Sequence, residues 1–376
     1  MDLWLAILEG LVGGFLVVMV LLDIFNSVIV PRPTFRGTLL SRSIMRPGWR
    51  AWRAMGTRIK APNQGEAMLA IFPPVALVLI LIAWVVLEAV GYGLIIHTLR
   101  GDFRPRPPGV IGSAYISAAS LFGVGQSTYV PIGRAARLVI PVVNATGLAT
   151  VALVITFLFS LYANFQKREA QVVTLDARAG APPSGVTLLE TYAQLELLGR
   201  LPDLFAKWEN WSAEVLDSHL AYPILTYFRS SHDNESWISA LGAVLDAASL
   251  LVSTVESIPV GEARLMVGMG AHLVEDISNQ FHLPNDDGVG VERAEFEDAR
   301  QRLSEAGYIL KPDADAAWSK FTMMRGIYAS RLNAMARAWA TPPAQWIGDR
   351  STLRIVRHPD RGGAPATAAI DASSEA

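Results

Sequence analysis

A glycine-rich, polar segment between two apolar stretches has residue types that could hold a cation. It consists of Gly123, Val124, Gly125, Gln126 and Ser127. Glycine adopts positive φ angles almost freely, so such a segment can turn successive backbone carbonyls toward one point. Carbonyl oxygens in such an arrangement replace the hydration shell of a monovalent cation in membrane pores. The segment therefore predicts an ion-binding loop, on the condition that it lines a cavity at membrane depth.

Three long apolar runs predict that the chain crosses a membrane. They cover residues 3–31, 67–99 and 135–163, and 51% of the 376 residues are hydrophobic. Each run exceeds the roughly 20 residues that a helix needs to cross a bilayer. The first run is too long for a signal peptide and no basic residue precedes it, so we expect it to remain as a span. The sequence thus predicts an all-α membrane protein with three transmembrane helices.

Charge divides the chain into a basic membrane part and an acidic part. Residues 1–165 contain 13 Lys+Arg and 6 Asp+Glu, a net charge of +7, whereas residues 166–376 contain 19 and 28, a net charge of −9. This distribution argues against a nucleic-acid partner, which would require basic charge on the soluble part. The 27 arginines against 5 lysines are typical of a GC-rich bacterial genome.

Residues 32–65 contain eight basic residues and no acid, which predicts the orientation. Loops rich in Arg and Lys stay in the cytoplasm. We therefore expect a multi-pass protein of the bacterial inner membrane, with the N-terminus and residues 98–134 outside and the C-terminal part inside. Apolar residues interleave with the arginines over residues 39–59, which predicts a helix lying on the inner membrane surface. A solvated basic loop is the alternative.

The triplet Gly91-Tyr92-Gly93 has the letters of a potassium-selective filter, but its position predicts a helix. It lies inside the second apolar run, between LVLILIAWVVLEAV and LIIHTL. We expect the two glycines to permit close approach of a neighbouring helix, and Tyr92 to lie near the outer interface. The ion-binding loop must therefore be sought after this run.

The segment between the second and third runs has the order of a re-entrant loop. The Pro-rich stretch RGDFRPRPPGV precedes an apolar segment at residues 111–122 that is too short to span a membrane. The polar stretch GVGQSTYVP, residues 123–131, follows it and leads into the third run. Over residues 66–166 this layout resembles the pore module of tetrameric potassium channels, in particular bacterial proteins with two-helix pores.

The resemblance implies a homotetramer in membrane lipid that conducts a monovalent cation passively, potassium in that family. It implies no enzymatic activity and no cofactor other than the permeant ion. Its parts would be an outer helix at residues 67–99, a pore helix at 111–122, a filter at 123–127 and an inner helix at 134–165.

The filter letters depart from the family pattern, T-T-V-G-Y-G-D followed by two apolar residues and Pro. An ungapped match retains only Val124, Gly125 and the Val-Pro ending, and puts Gln126 and Ser127 where the family has Tyr and Gly. A second register pairs residues 123–125 with G-Y-G but needs two extra residues before Pro131. Because a side chain in a left-handed conformation costs roughly 1–2 kcal/mol, Ser127 weakens the expectation of potassium selectivity.

The outer mouth predicted by the resemblance is Thr128, Arg134 and Arg137. Four-fold symmetry would turn the two arginines into a positive ring that repels cations. This charge motivates the alternative that the protein does not conduct and acts as a pore-like membrane sensor or scaffold through its cytoplasmic domain.

The third run also carries residues that we expect to line a wet cavity or form a hinge: Asn144, Thr146, Gly147 and Thr150. The family often has a hinge glycine about where Gly147 stands, and close packing against another helix is the alternative. The acids Asp23 and Glu88 are costly in lipid and must face protein or water. We expect Glu88 to support the pore helix, and Asp23 either to pair with protein or to be solvated at the interface.

The remainder predicts an acidic helical cytoplasmic domain at residues 167–357 and a disordered tail at 358–376. Three helices are expected, at residues 188–220, 236–257 and 317–340, and no metal site or cytoplasmic ligand is indicated. The stretch SHLAYPILTYFRS, residues 218–230, resembles the segment that follows some bacterial pore modules. The first two divisions of the chain are the N-terminal span at residues 1–31 and the basic segment at 32–65.

Overall fold

A computed structural model describes residues 3–30, 40–59, 62–124, 128–230, 235–256, 258–285 and 290–347. Within these ranges the chain forms twelve α-helices and one pair of two-residue strands. The predicted all-α class is therefore confirmed. The helices of the membrane part are α1 (Leu3–Val28), α2 (Leu40–Gly56), α3 (Pro62–Thr98), α4 (Gly109–Leu121) and α5 (Arg134–Ala179).

The described residues contain four helices that are long and apolar enough to cross a membrane. Three of them, α1, α3 and α5, coincide with the three apolar runs. The fourth, α8 (Trp237–Thr254), is buried over its whole length by other parts of the chain. Since α8 presents no surface to lipid, its apolar side chains form the centre of the helices that follow α5.

The Gly91-Tyr92-Gly93 triplet is helical, as predicted, and it is a packing point of α3. A Cβ atom on Gly91 would lie 2.9 Å from the carbonyl oxygen of Gly13, and one on Gly93 would lie 2.9 Å from the Cα of Ala114. These glycines therefore let α3 contact α1 on one side and α4 on the other. Tyr92 is buried in a cluster with Val17, Leu121 and Val143.

The two strands close the segment between α3 and α5. Strand β1 (Phe103–Arg104) follows α3, and strand β2 (Val130–Pro131) precedes α5. They pair antiparallel, with Arg104 opposite Val130, and the Ile132 amide donates to the carbonyl of Asp102 at 2.8 Å. The pair fixes the start of α5 against the end of α3.

The predicted amphipathic helix in the basic segment is α2, and protein covers part of its apolar side. The Trp49 ring lies 5.2 Å from the ring of Phe72 in α3 and 5.4 Å from that of Tyr227. Its indole nitrogen donates to the carbonyl of Ala338 at 2.9 Å. Trp49 is therefore buried against α3 and the C-terminal helices, and the position of α2 on the membrane surface stays a prediction.

The C-terminal helices pack around α8 and, with the last turns of α5, form what we call the acidic bundle. Its interior contains an ion pair, in which Arg325 donates to Asp246 at 2.9 Å and the Tyr328 hydroxyl donates to the same oxygen at 2.6 Å. The other helices are α6 (Gly185–Gln194), α7 (Leu201–Ala221), α9 (Gly261–Phe281), α10 (Arg293–Glu305), α11 (Ala314–Gly326) and α12 (Ala329–Ala338).

Two of the three helices predicted in this region are broken. The stretch 188–220 is interrupted at residues 195–200, where Glu196 has a φ of 55°, and Pro202 lies in the first turn of α7. Proline suits the first turn of a helix because its missing N–H has no partner there. The stretch 317–340 is interrupted after Gly326, the last residue of α11. The third prediction, at residues 236–257, corresponds to α8.

Candidate functional site

Helix α4 ends part-way along α5. A Cβ atom built on Gly147 would overlap the carbonyl oxygen of Leu121, the last residue of α4. Gly147 lies thirteen residues after Arg134, or about 20 Å along a helix that rises 1.5 Å per residue. The C-terminal end of α4 is thus at the middle of the α5 span, whereas strand β2 is at its start.

The predicted filter residues follow directly from this end of α4. Gly123 has a φ of 64°, a left-handed conformation that favours glycine, and no atom lies within 4 Å of the position that a Cβ would take there. Val124 is 76% exposed, and Thr128 is exposed on the way to β2. The remaining filter residues, Gly125, Gln126 and Ser127, lie outside the described residues.

Two of the predicted cavity residues, both threonines, form side-chain hydrogen bonds to α3. The Thr146 hydroxyl is 2.8 Å from the hydroxyl of Tyr92, and the Thr150 hydroxyl donates to Glu88 Oε1 at 3.0 Å. Both contacts join α5 to α3. Asn144, by contrast, is exposed and forms no hydrogen bond with the described part of the chain. Gly147 makes the close contact with α4, which is the packing alternative for this residue.

The intramembrane acids both face protein. Glu88 is 1% exposed, and its hydrogen bond goes to Thr150 of α5 rather than to the predicted pore helix, α4, as we expected. Asp23 is 3% exposed and accepts a hydrogen bond from the Trp84 indole at 2.6 Å. Of the two alternatives for Asp23, the structure shows pairing with protein.

The residues predicted to form the outer mouth lie beside an acid that sequence reasoning missed. A Cβ atom on Gly133, immediately before α5, would overlap the carboxylate of Asp102. The β1–β2 pair brings these distant residues together, next to the first turn of α5, where a helix favours negative charge. Arg134 and Arg137 are exposed near this carboxylate, and Arg137 also donates to the carbonyl of Pro131 at 3.2 Å.

Helix α5 continues beyond the predicted inner helix into the acidic bundle, where Arg168 fixes it. Arg168 is 2% exposed and donates to the carbonyls of Leu225 at 2.9 Å and Phe228 at 2.8 Å. Its Nε also donates to Glu169 at 2.9 Å. The two carbonyls belong to residues 218–230, which we call the junction segment.

The junction segment also binds the start of α3. Arg229 donates from Nε to Glu66 Oε1 at 2.6 Å, and the carbonyls of Trp339 and Ala340 accept from its other nitrogens at 2.9 and 2.7 Å. The junction segment therefore joins α3, α5 and the bundle. The SHLAYPILTYFRS stretch was visible in the sequence, but nothing in it indicated Arg168 or Glu66 as partners.

His219 of the junction segment is buried beside Arg168 in its neutral form. Its Nδ1 lies 2.8 Å from the carbonyl of Val215, and its Nε2 lies 3.2 Å from Arg168. Burial, together with the positive charge of Arg168, lowers the pKa of His219 well below its ordinary value of 6.5. Below pH 6.5 the unfolded chain therefore binds a proton that the folded chain does not.

We expect this histidine to make the protein less stable as the pH falls from 7.5 to 5.5. Below pH 6.5, the loss in the free energy of unfolding that is due to His219 approaches about 1.4 kcal/mol for each unit by which the pH falls. Thermal unfolding of the purified chain in detergent measures the effect. His219→Gln should flatten the dependence of Tm on pH, even if the Tm itself falls. His272→Gln, at an exposed histidine of α9, should keep the native slope, and an equal slope in both variants would contradict the assignment.

Comparison with known proteins supports the coarse class of the chain. Among curated proteins it is similar to YdjJ of Bacillus subtilis (strain 168), named as an uncharacterized membrane protein, with 28% identity over 203 residues. Those residues make up 53% of this chain and 58% of YdjJ. This chain is a membrane protein. No protein-family model and no solved structure matches it.

Proposed function

We propose that this membrane protein is the subunit of a homotetrameric, potassium-channel-like cation channel in a bacterial inner membrane. The observation that carries the proposal is the short length of α4 and the position at which it ends. This apolar helix has 13 residues, about 20 Å, which is too short for the about 30 Å of a bilayer core. It ends against Gly147, near the middle of the apolar part of α5, which suits a pore helix that enters the membrane and stops halfway.

The return path supports a filter at residues 123–127. Nine residues lead from Leu121, at the level of Gly147, to Val130, at the start of α5. A helix of nine residues would cover about 14 Å of the roughly 20 Å between these levels, whereas an extended chain covers up to about 30 Å. In the proposed tetramer, a filter at residues 123–127 would present backbone carbonyls along the four-fold axis, where a cation could lose its water.

The exposed surface of α5 supports assembly. Asn144 lies in the apolar part of α5 and has no partner among the described residues, although a polar side chain in lipid is costly. Leu148 on the same helix is 72% exposed. In an assembly of four copies around a central cavity, the Asn144 side chain would be hydrated. The neighbouring copies would cover part of the apolar surface of α5. The C-terminal ends of four α4 helices, which carry partial negative charge, would stabilise a cation there.

The acidic bundle is proposed to act on the pore through α5. The basic helix α2 contacts the bundle through Trp49, which supports a position of both on the cytoplasmic side. Arg168 ties α5 to the junction segment, and Arg229 ties the same segment to α3. A change in the bundle would therefore move the inner helix relative to the outer one, and the inner helix would serve as the gate.

The test is ion flux in liposomes that contain the purified full-length chain, with potassium and sodium gradients compared. We expect cation flux with weak discrimination between the two ions, because Gln126 and Ser127 replace family residues. The double variant Gln126→Tyr with Ser127→Gly should increase the preference for potassium. If neither protein carries cations, the channel proposal is wrong.

A second candidate function is a pore-like sensor that does not conduct. The exposed Arg134 and Arg137 favour it, because neither forms an ion pair within the described residues. Under this hypothesis the native protein carries no cations in the flux experiment, whereas the variant Gln126→Tyr with Ser127→Gly does. The nearby Asp102 carboxylate weakens the positive ring and is the reason that we place conduction first.

A further inference from the structure

An apolar pocket of about 110 Å³ lies where the spans meet the acidic bundle. Its walls come from α2 (Met45), α3 (Leu77), α5 (Phe157) and the junction segment (Ile224). Ser27, in the last turn of α1, also lines it. The pocket thus involves most elements that connect the membrane part to the bundle.

In the proposed topology, the pocket lies at the cytoplasmic edge of the bilayer. Helix α1 ends at Val28, one residue after the pocket residue Ser27. On α5, Phe157 precedes the buried Arg168 by eleven residues, about 16 Å along the helix. The pocket therefore lies between the apolar spans and the interior of the bundle, at the depth of lipid head groups and the first part of their acyl chains.

The mouth of the pocket carries unneutralised positive charge. Arg46 lines it, and Arg50 lies one turn further along the same helix. Both are exposed, and neither forms an ion pair within the part of the chain that the structure describes. Both charges act on the hydroxyl of Tyr227, a pocket residue whose pKa burial nevertheless raises to about 12. No acidic residue lines the pocket within the described ranges.

We propose that this pocket binds an anionic phospholipid, with the phosphate on Arg46 and Arg50 and the start of one acyl chain against Met45, Leu77 and Phe157. Basic pockets between membrane helices bind anionic head groups in this way. A volume of about 110 Å³ is small for a soluble ligand, which needs roughly 300–1,000 Å³ to be enclosed. A lipid needs less space because most of its acyl chains remain in the bilayer.

Occupancy would hold α5 and the junction segment together. The lipid would touch Phe157 on α5, as well as Tyr222 and Ile224 in the junction segment. These elements are the ones that Arg168 joins on the bundle side. The amount of anionic lipid would then set how firmly the bundle is attached to α5, whether or not the protein conducts ions.

Native mass spectrometry of the full chain in detergent tests this proposal by titration with phosphatidylglycerol and, separately, phosphatidylcholine. We expect tighter binding of phosphatidylglycerol. Arg46→Gln and Arg50→Gln should each weaken that binding about fivefold, the effect of one basic residue near a membrane surface. Ser27→Trp keeps both arginines but puts a large ring at a lining position of the pocket, and it should abolish the preference for phosphatidylglycerol.

The matched control is Arg58→Gln, an exposed arginine of the same basic segment that does not line the pocket. It should leave the binding unchanged. Equal weakening by Arg58→Gln would indicate general attraction to basic charge, and unchanged binding in Ser27→Trp would exclude the pocket. Either result overturns the proposal, as does competition by inorganic phosphate at equal concentration. None of these measurements involves ion flux, so the lipid site and the channel function can fail separately.

Discussion

Replacement of Arg168 by methionine is expected to lower the free energy of unfolding by about 3–5 kcal/mol, the cost of removing one partner from a buried ion pair. The variant leaves Glu169 without its 2.9 Å partner, and it leaves the carbonyls of Leu225 and Phe228 without their donor. Methionine fills much of the volume but donates no hydrogen bond. Thermal unfolding of the full chain in detergent, followed by tryptophan emission, measures the loss.

Arg178→Met is the matched control, because Arg178 lies on the same helix but is exposed. A surface substitution of this kind changes stability by no more than about 0.5 kcal/mol. If Arg168→Met and Arg178→Met unfold at the same temperature, Arg168 does not hold α5 to the junction segment. Proteolysis adds a second readout, since a loosened junction should be cut faster near residues 218–230 in the Arg168 variant only.

Among the glycine-to-alanine changes in the spans, Gly147→Ala is expected to disturb the packing of α4 against α5 the most. The added Cβ would overlap the Leu121 carbonyl oxygen, so α4 or α5 has to move. We expect a loss of roughly 3 kcal/mol, at the upper end of the range for overpacked sites. Thermal unfolding and the fraction of assembled protein on size exclusion measure the effect.

Gly14→Ala is the control for this change. Gly14 also lies in an apolar span, but no atom is found within 4 Å of the position of its Cβ. We expect a stability equal to that of the native protein or slightly higher, because alanine favours a helix over glycine. A Gly147→Ala variant as stable as Gly14→Ala would show that α4 does not end against α5.

The spans could be predicted from the sequence because their signal is local. A run of twenty or more mostly apolar residues is typical of a membrane span. Helices α1, α3 and α5 lie where the three runs predict them. The helical state of Gly91-Tyr92-Gly93 followed from its apolar context in the same way. Helix α4 was visible as an apolar segment too short to span, although the contact of Leu121 with Gly147 was not.

The partners of the polar groups could not be predicted, because they depend on which distant segments meet. Arg168 binds carbonyls 57 and 60 residues further along the chain, and Arg229 binds a glutamate 163 residues before it. Glu88 pairs with Thr150 of α5, although the sequence had led us to expect α4 as its neighbour. Residue types indicated that these charges needed partners, but only the packing of the helices selects them.

The most direct test of the proposed channel is modification of position 144 during potassium flux. The chain has no cysteine, so Asn144→Cys introduces a single thiol. A positively charged, water-soluble thiol reagent should label it in the wet cavity and block potassium flux through reconstituted protein. The same reagent should leave flux unchanged in the native protein and in Phe15→Cys, at a residue of α1 that is 67% exposed. Potassium flux that persists after treatment of Asn144→Cys, or the absence of flux from the native protein, would contradict a water-filled conduction path along α5.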